Sequence, residues 1–334
     1  MRVKLSFAWE WNSVMDEEQV VEILQTRLWN LELEHPLVLG AGVAKYIQGP
    51  EGLEGFLAST NAALLIGGSF TLARRAGNPG EVCWSSDDGA VTLNRMGLPN
   101  KGLTELTEHL PAIVPLARQK NRLVGISVAA SCGSEGDPEL SLPEQYEVLA
   151  KAAFDSGAAL VELNLSCPNT ESDIIAFNLG DIRAILEHLD RTLDPAKHNV
   201  CMKVSPYSQS RLIQEVAQLV NRSAVIKGVA ATNTFPNALY LLGGAPVISS
   251  NDGLAGLSGP RLFPIALGQV AQWRRHLAPE KYILGGGGVS TVQNVLDMRK
   301  AGADAVFLVS AVLNQKPRIF NELLDGLVEH YTGL

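Results

Sequence analysis

Eight short apolar runs recur along the chain, at 37–42, 63–69, 122–130, 159–166, 200–205, 227–234, 282–287 and 305–310. Most are apolar at consecutive positions rather than alternating ones, the pattern of strands covered on both faces. Amphipathic stretches between them predict helices at 50–59, 102–119, 142–156, 180–193, 208–221, 261–277, 291–301 and 318–331. Ser141, Ser208 and Ser290 stand where N-caps are needed, and Pro143 falls in a first turn. Eight strands, each followed by a helix, define an α/β chain folded as a (β/α)8 TIM barrel. The rival, a doubly wound sheet, does not need eight such units, and no G-x-G-x-x-G follows the first strand. The reading is one barrel domain over 1–334, with 1–30 as an N-terminal extension whose helix at 16–29 closes the bottom.

Charge excludes some functions. Lys and Arg number 27 against 35 Asp and Glu, a net charge of −8, so the basic surface of a general nucleic-acid binder is missing. No apolar run approaches the ~18 residues of a membrane span. The first residues lack the apolar core and cleavage site of a signal peptide. Cys83, Cys132, Cys167 and Cys201 are far apart and form no C-x-x-C pair, which argues against zinc or any other metal site. Free thiols fit a reducing, cytoplasmic setting.

Three connections, 70–101, 170–179 and 235–260, exceed simple loops and follow strands, so they belong to the C-terminal face where barrel active sites form. Residues 82–93, with Asp87-Asp88-Gly89, read as a small hairpin insertion there. Polar groups gather at the same strand ends. Asn164 to Asn169 places two carboxamides beside the Cys167 thiol, suited to a planar polar ligand and to removal of a C–H proton, although a plain Asn/Ser/Pro turn has the same composition. Asn94 to Asn100 combines carboxamides with Gly97. Lys203 lies inside an apolar strand, costly unless paired or facing negative charge such as a reduced flavin edge; the alternative is a strand-end lysine reaching solvent. Thr232-Asn233-Thr234 ends the sixth strand. Gly285 to Gly288 ends the seventh, where backbone N–H groups can close on a phosphate.

In their order, these groups resemble the class 1 dihydroorotate dehydrogenase family, from about His35 to the C-terminus. The matching motifs are His35-Pro36-Leu37 to Gly42, Gly77-Asn78-Pro79, Met96 to Asn100, Asn164 to Asn169, Lys203, Gly256 to Gly259 and Gly285 to Gly288. The resemblance implies an FMN-dependent barrel oxidoreductase. It implies Cys167 as the base that removes the C5 proton of dihydroorotate while C6 gives hydride to flavin N5. It implies Asn94, Asn164, Asn169 and Asn233 as ring-binding carboxamides, with Met96, Gly97, Leu98 and Thr234 beside them. For FMN it implies Ala41, Gly42, Gly68, Ser69, Asn94, Asn164, Lys203, Thr234, Gly256, Gly286, Gly287, Gly288, Val309 and Ser310.

Two departures stand out. Gly67-Gly68-Ser69 replaces the family's Thr-Lys-Ser, so Gly68 stands where a lysine contacts flavin and the substrate carboxylate. Arg95 or Arg74 is the candidate replacement. Val309 stands where the family has Gly near the phosphate. The departures bear on the substrate more than the cofactor. Similarity to the flavin domain of dihydropyrimidine dehydrogenases, at Ala231 to Thr234 and Ser310 to Gln315, gives the alternative of a ring without the carboxylate, whether dihydropyrimidine-like or of a specialised pathway. A non-catalytic flavin-binding barrel is the third reading. The resemblance also implies a homodimer in the pyrimidine-biosynthesis role, and Phe177 with Gly256 to Pro260 resembles the branch that passes electrons to an iron–sulfur and FAD subunit.

Overall fold

The computed structural model describes residues 16–131, 139–166 and 174–333. The eight apolar runs form β1 (Leu37–Leu39), β2 (Leu64–Phe70), β3 (Leu123–Val128), β4 (Leu160–Asn164), β5 (Val200–Val204), β6 (Ile226–Ala231), β7 (Tyr282–Gly286) and β8 (Ala305–Leu308). They pair in parallel in chain order, and β8 returns to β1 to close the barrel. Between and after them run α1 (Leu53–Ser59), α2 (Leu103–Arg118), α3 (Leu142–Asp155), α4 (Leu179–Thr192), α5 (Ser210–Arg222), α6 (Phe263–His276), α7 (Val292–Ala301) and α8 (Ile319–Thr332).

The consecutive apolar pattern has a simple cause: each strand buries both faces. Leu65, Ile126, Val161, Met202 and Val229 pack outward against the helices. Leu64, Ile66, Leu160, Cys201, Ala230, Tyr282, Leu284 and Phe307 fill the interior. Ser141 caps α3 in a reciprocal arrangement with Glu144. The other two expected caps are corrected. Gln209, not Ser208, precedes α5 and makes no side-chain cap bond, while Thr291 caps α7 through Asn294 N. The Ser290 N–H instead donates to Asn294 Oδ1.

The expected helix at 16–29 is also corrected. It ends at Leu24, and Thr26–Leu28 pairs antiparallel with Leu31–Leu33 around a turn in which Trp29 has φ 57°. Leu28 and Leu33 pack into the interior cluster, and Asn199 Nδ2 donates to Leu28 O at 3.2 Å. A hairpin therefore plugs the N-terminal mouth, while Val20 and Leu24 of the short helix join the outer core.

At the opposite mouth, two of the long connections meet in a four-stranded sheet. Its order is Phe235–Ala238, Ala255–Ser258, Thr92–Asn94 and Cys83–Ser85. The hairpin expected at 82–93 is one half of this sheet. The sheet lies over the barrel's C-terminal end and carries Asn94 with it.

Candidate active site

Strand alternation sends Glu162 and Asn164 of β4, and Cys201 and Lys203 of β5, into the barrel. Lys203 Nζ lies 3.7 Å from Glu162 Oε1, and both side chains are almost wholly buried. The same ammonium sits 5.4 Å from the centre of the Phe307 ring. Lower down, burial pushes the Cys201 thiol well above its ordinary pKa, with Glu162 adding to the rise. That thiol is a packed core group rather than a reactive one.

Above the ion pair a polar chain crosses β2, β3, β4 and β6. Asn164 Nδ2 donates to Ser69 Oγ at 2.9 Å, and the Ser69 and Ser127 hydroxyls are 2.8 Å apart. Asn164 Oδ1 accepts from Ser166 N at 3.2 Å. Asn233 Nδ2 donates to Ser166 O at 2.8 Å and to Ser166 Oγ at 3.0 Å. Tyr146 OH fixes the end of β4 from behind by donating to Asn164 O at 2.8 Å. The carboxamides are thus oriented before any ligand arrives.

The wall opposite is the Met96–Leu98 segment. Asn78 holds it: its backbone N–H donates to Met96 O at 2.9 Å and its Nδ2 to Arg95 O at 2.8 Å. Asn100 Nδ2 supports Leu98 O, two residues on from Met96, at 2.8 Å.

These walls form an open-mouthed cavity. Of the residues singled out from sequence, Ala41, Gly42, Gly68, Ser69, Asn94, Met96, Gly97, Leu98, Asn164, Lys203, Asn233, Thr234, Gly287, Gly288, Val309 and Ser310 line it together. Gly256 and Gly286 are not among its lining residues. A Cβ on Gly256 would lie 2.2 Å from Thr234 Oγ1, and one on Gly286 would lie 2.6 Å from the Phe307 ring. Cys167 and Asn169 fall outside the described residues, as does Cys132. Arg74 and Arg95 are not in the lining, whereas Lys45, from the connection after β1, is. Sequence reasoning passed over Thr92 and Phe307, and named Thr232 and Ser258 within their motifs without giving either a site role. For Thr232 the signal was available, because it continues β6 by one residue.

Two features mark the cavity as built for a polar ligand. Thr232 Oγ1 and Thr234 Oγ1 are buried with no hydrogen-bond partner among the described residues. Gly288 has φ +78°, and a Cβ there would lie 2.4 Å from Gly259 O and 2.8 Å from Phe263 N, so only a bare backbone can pass between these elements. Among the described residues there is no group of three His, Cys, Asp or Glu able to hold a metal ion, and no helix is long and apolar enough to cross a membrane.

A closed parallel barrel with a polar cavity at the C-terminal ends of its strands defines a barrel enzyme. Comparison with known proteins narrows the class. A family profile described as dihydroorotate dehydrogenase matches residues 23–330. The dihydroorotate dehydrogenase A (fumarate) of Lactococcus lactis subsp. lactis is 28% identical over 310 residues, covering 92% of this chain and 94% of its own. The dihydroorotate dehydrogenase B (NAD(+)), catalytic subunit, of Methanopyrus kandleri is 30% identical over 294 residues, covering 87% and 84%. The chain belongs to the dihydroorotate dehydrogenase family, and is an oxidoreductase of the kind that acts on a CH–CH donor.

Proposed function

We propose that the chain oxidises the C5–C6 bond of dihydroorotate, or of a closely related cyclic amide, with FMN as cofactor and Cys167 as base. The observation that carries this reading is the convergence of Asn94, Asn164, Asn233 and Lys203 on one cavity of a chain in this family. Carboxamides both donate and accept, which matches the alternating N–H and C=O edge of a cyclic amide. The orphan hydroxyls of Thr232 and Thr234, and the bare backbone at Gly288, fit a cofactor with polar ring edges and a phosphate.

Gly287, Gly288 and Ser310 would hold the phosphate, while Ala41, Gly42, Ser69 and Lys203 would contact the ring system. Bound there, the flavin supplies a two-electron acceptor for the hydride that leaves C6. The protein's own part is to orient and deprotonate. Asn164 and Asn233, locked by Ser69 and Ser166, fix the substrate ring in plane. Cys167, next in sequence to Ser166, takes the C5 proton as thiolate. Lys203, held in the core by its ion pair with Glu162, places its ammonium at the cavity floor, where it can donate to an electron-rich ring edge.

A reading with a carboxylate-free ring rests on Gly68, which offers no side chain to an anionic substituent. Homodimerisation, an iron–sulfur and FAD partner subunit and a cytoplasmic setting belong to the same proposal. Relatives named for fumarate and for NAD(+) match over similar lengths.

The test is anaerobic. Purified protein is expected to carry one yellow flavin per chain and to bleach on adding dihydroorotate, with Cys167→Ala abolishing the bleaching and leaving the flavin bound. Colourless protein that takes up no FMN would overturn the cofactor, and unchanged bleaching in Cys167→Ala would overturn the base.

A further inference from the structure

The polar walls of the cavity are neutral apart from two lysines, and the two are not equivalent. Lys203 is neutralised by Glu162 at 3.7 Å. Lys45 has no ion pair or hydrogen bond among the described residues, and no carboxylate among those residues lines the cavity. The cavity therefore presents one uncompensated positive charge, carried by a half-buried side chain on the connection that follows β1.

That charge is held in place by the backbone around it. Gly42 N donates to Gly68 O at 3.0 Å, and Gly68 N donates to Ala44 O at 2.8 Å. The loop is thus clamped to Gly68 on the residues immediately before Lys45. Two residues later, Ile47 N donates to Oε1 of the buried Glu105 at 3.1 Å. Lys45 rises between these two anchors beside the bare backbone of Gly68. On its other side lies the Cys83 strand, whose thiol is raised by burial and pulled back by the Lys45 ammonium. Cys83 pairs directly with Asn94, so the ammonium and the Asn94 carboxamide share one end of the cavity.

A neutral cyclic amide leaves such a cation unsatisfied; an anionic ring substituent pairs with it. We propose that Lys45 is the specificity-determining cation of this site and selects a cyclic amide bearing a carboxylate over the same ring without one. The inference deepens the function proposed above and rests on its placing of the ring among the asparagines. It assigns the charge to a different strand's loop from the one that carries Gly68, and so favours the dihydroorotate reading over the carboxylate-free ring.

Calorimetric titration of the holoprotein with orotate and with uracil separates the two. Wild type is expected to prefer orotate. Lys45→Gln is expected to weaken orotate about ten- to hundredfold, the range of a lost charge-assisted hydrogen bond, with uracil unchanged. Lys45→Arg is expected to recover most of the loss. An orotate affinity that moves less than about threefold in Lys45→Gln, equal weakening of both ligands, or a wild type with no preference would each overturn the assignment. Turnover is not read in this comparison. A chain that prefers orotate through Lys45 but never oxidises dihydroorotate would overturn the reaction proposed above and leave the role of Lys45 standing.

Discussion

Lys203 Nζ and Glu162 Oε1 face each other at 3.7 Å inside the barrel, on neighbouring strands, with side chains only 6% and 2% exposed. Glu162 Oε1 has no hydrogen-bond partner of its own among the described residues. The carboxylate is therefore tolerated in the core because the ammonium is there. Lys203→Met removes the partner and leaves a buried, uncompensated charge, a loss of roughly 3–5 kcal/mol. The paired variant Lys203→Met with Glu162→Gln is expected to regain most of that stability in urea denaturation. Flavin reduction is expected to stay slow in both, since the positive charge beside the ring is gone in each.

Gly68 adopts φ +106°, and a Cβ built there would lie 2.5 Å from Ser127 O. Gly68→Ala is expected to cost about 1–3 kcal/mol, read as a lowered melting temperature, because an L-residue must leave this conformation or strain it. Gly68→Lys is expected to destabilise at least as much and to restore no substrate affinity, since the clamp to Gly42 and Ala44 depends on the present conformation.

His35 stands two residues before β1 and is 7% exposed. Its Nδ1 accepts the Leu37 N–H at 3.3 Å, a bond that only the neutral ring makes. Burial lowers its pKa from the ordinary 6.5 and outweighs the upward pulls of the Asn61 backbone and Glu34, with Arg122 adding a smaller downward one. The unfolded chain then takes up a proton before the folded one as pH falls. Stability is full above the ordinary value and declines as pH drops from there toward the lowered one. Urea midpoints of wild type are expected to fall between about pH 7 and pH 5, and His35→Gln is expected to flatten that decline.

The fold was legible because closed parallel strands bury both faces, and an apolar run cannot hide that. The N-terminal hairpin was not. Val20, Leu24, Leu28 and Leu31 are spaced by four, four and three, which satisfies a helix, while Thr26 and Leu28, and Leu31 and Leu33, are each two apart, as in two short strands. Packing of Leu28 and Leu33 into the barrel mouth decides between them. Most of the cavity lining was legible because it falls at strand ends. Lys45 was not, since a lysine in a loop looks like any solvated lysine until the bond between Gly68 and Ala44 fixes the loop. Arg95 was the more visible candidate, being next to Asn94 in sequence, but neighbours on a strand point to opposite faces.

Asn78 illustrates support rather than contact. It does not line the cavity, yet its N–H and Nδ2 hold the carbonyls of Met96 and Arg95. A Cβ on Gly97 would lie 2.5 Å from Asn78 Oδ1, so the two residues are fitted to each other across the strap. Asn78→Ala removes the side-chain bond and lets the Met96–Leu98 wall relax, at a stability cost of about 1 kcal/mol. The reacting groups are untouched, so the loss falls on how well the ring is held. The expected signature is a KM for dihydroorotate raised roughly tenfold with kcat changed about twofold or less. Equal losses in kcat and kcat/KM would instead mean that the wall acts only in the transition state. Asn78→Asp keeps the size of the side chain but turns the Arg95 contact into carboxylate against carbonyl, and is expected to raise KM further still.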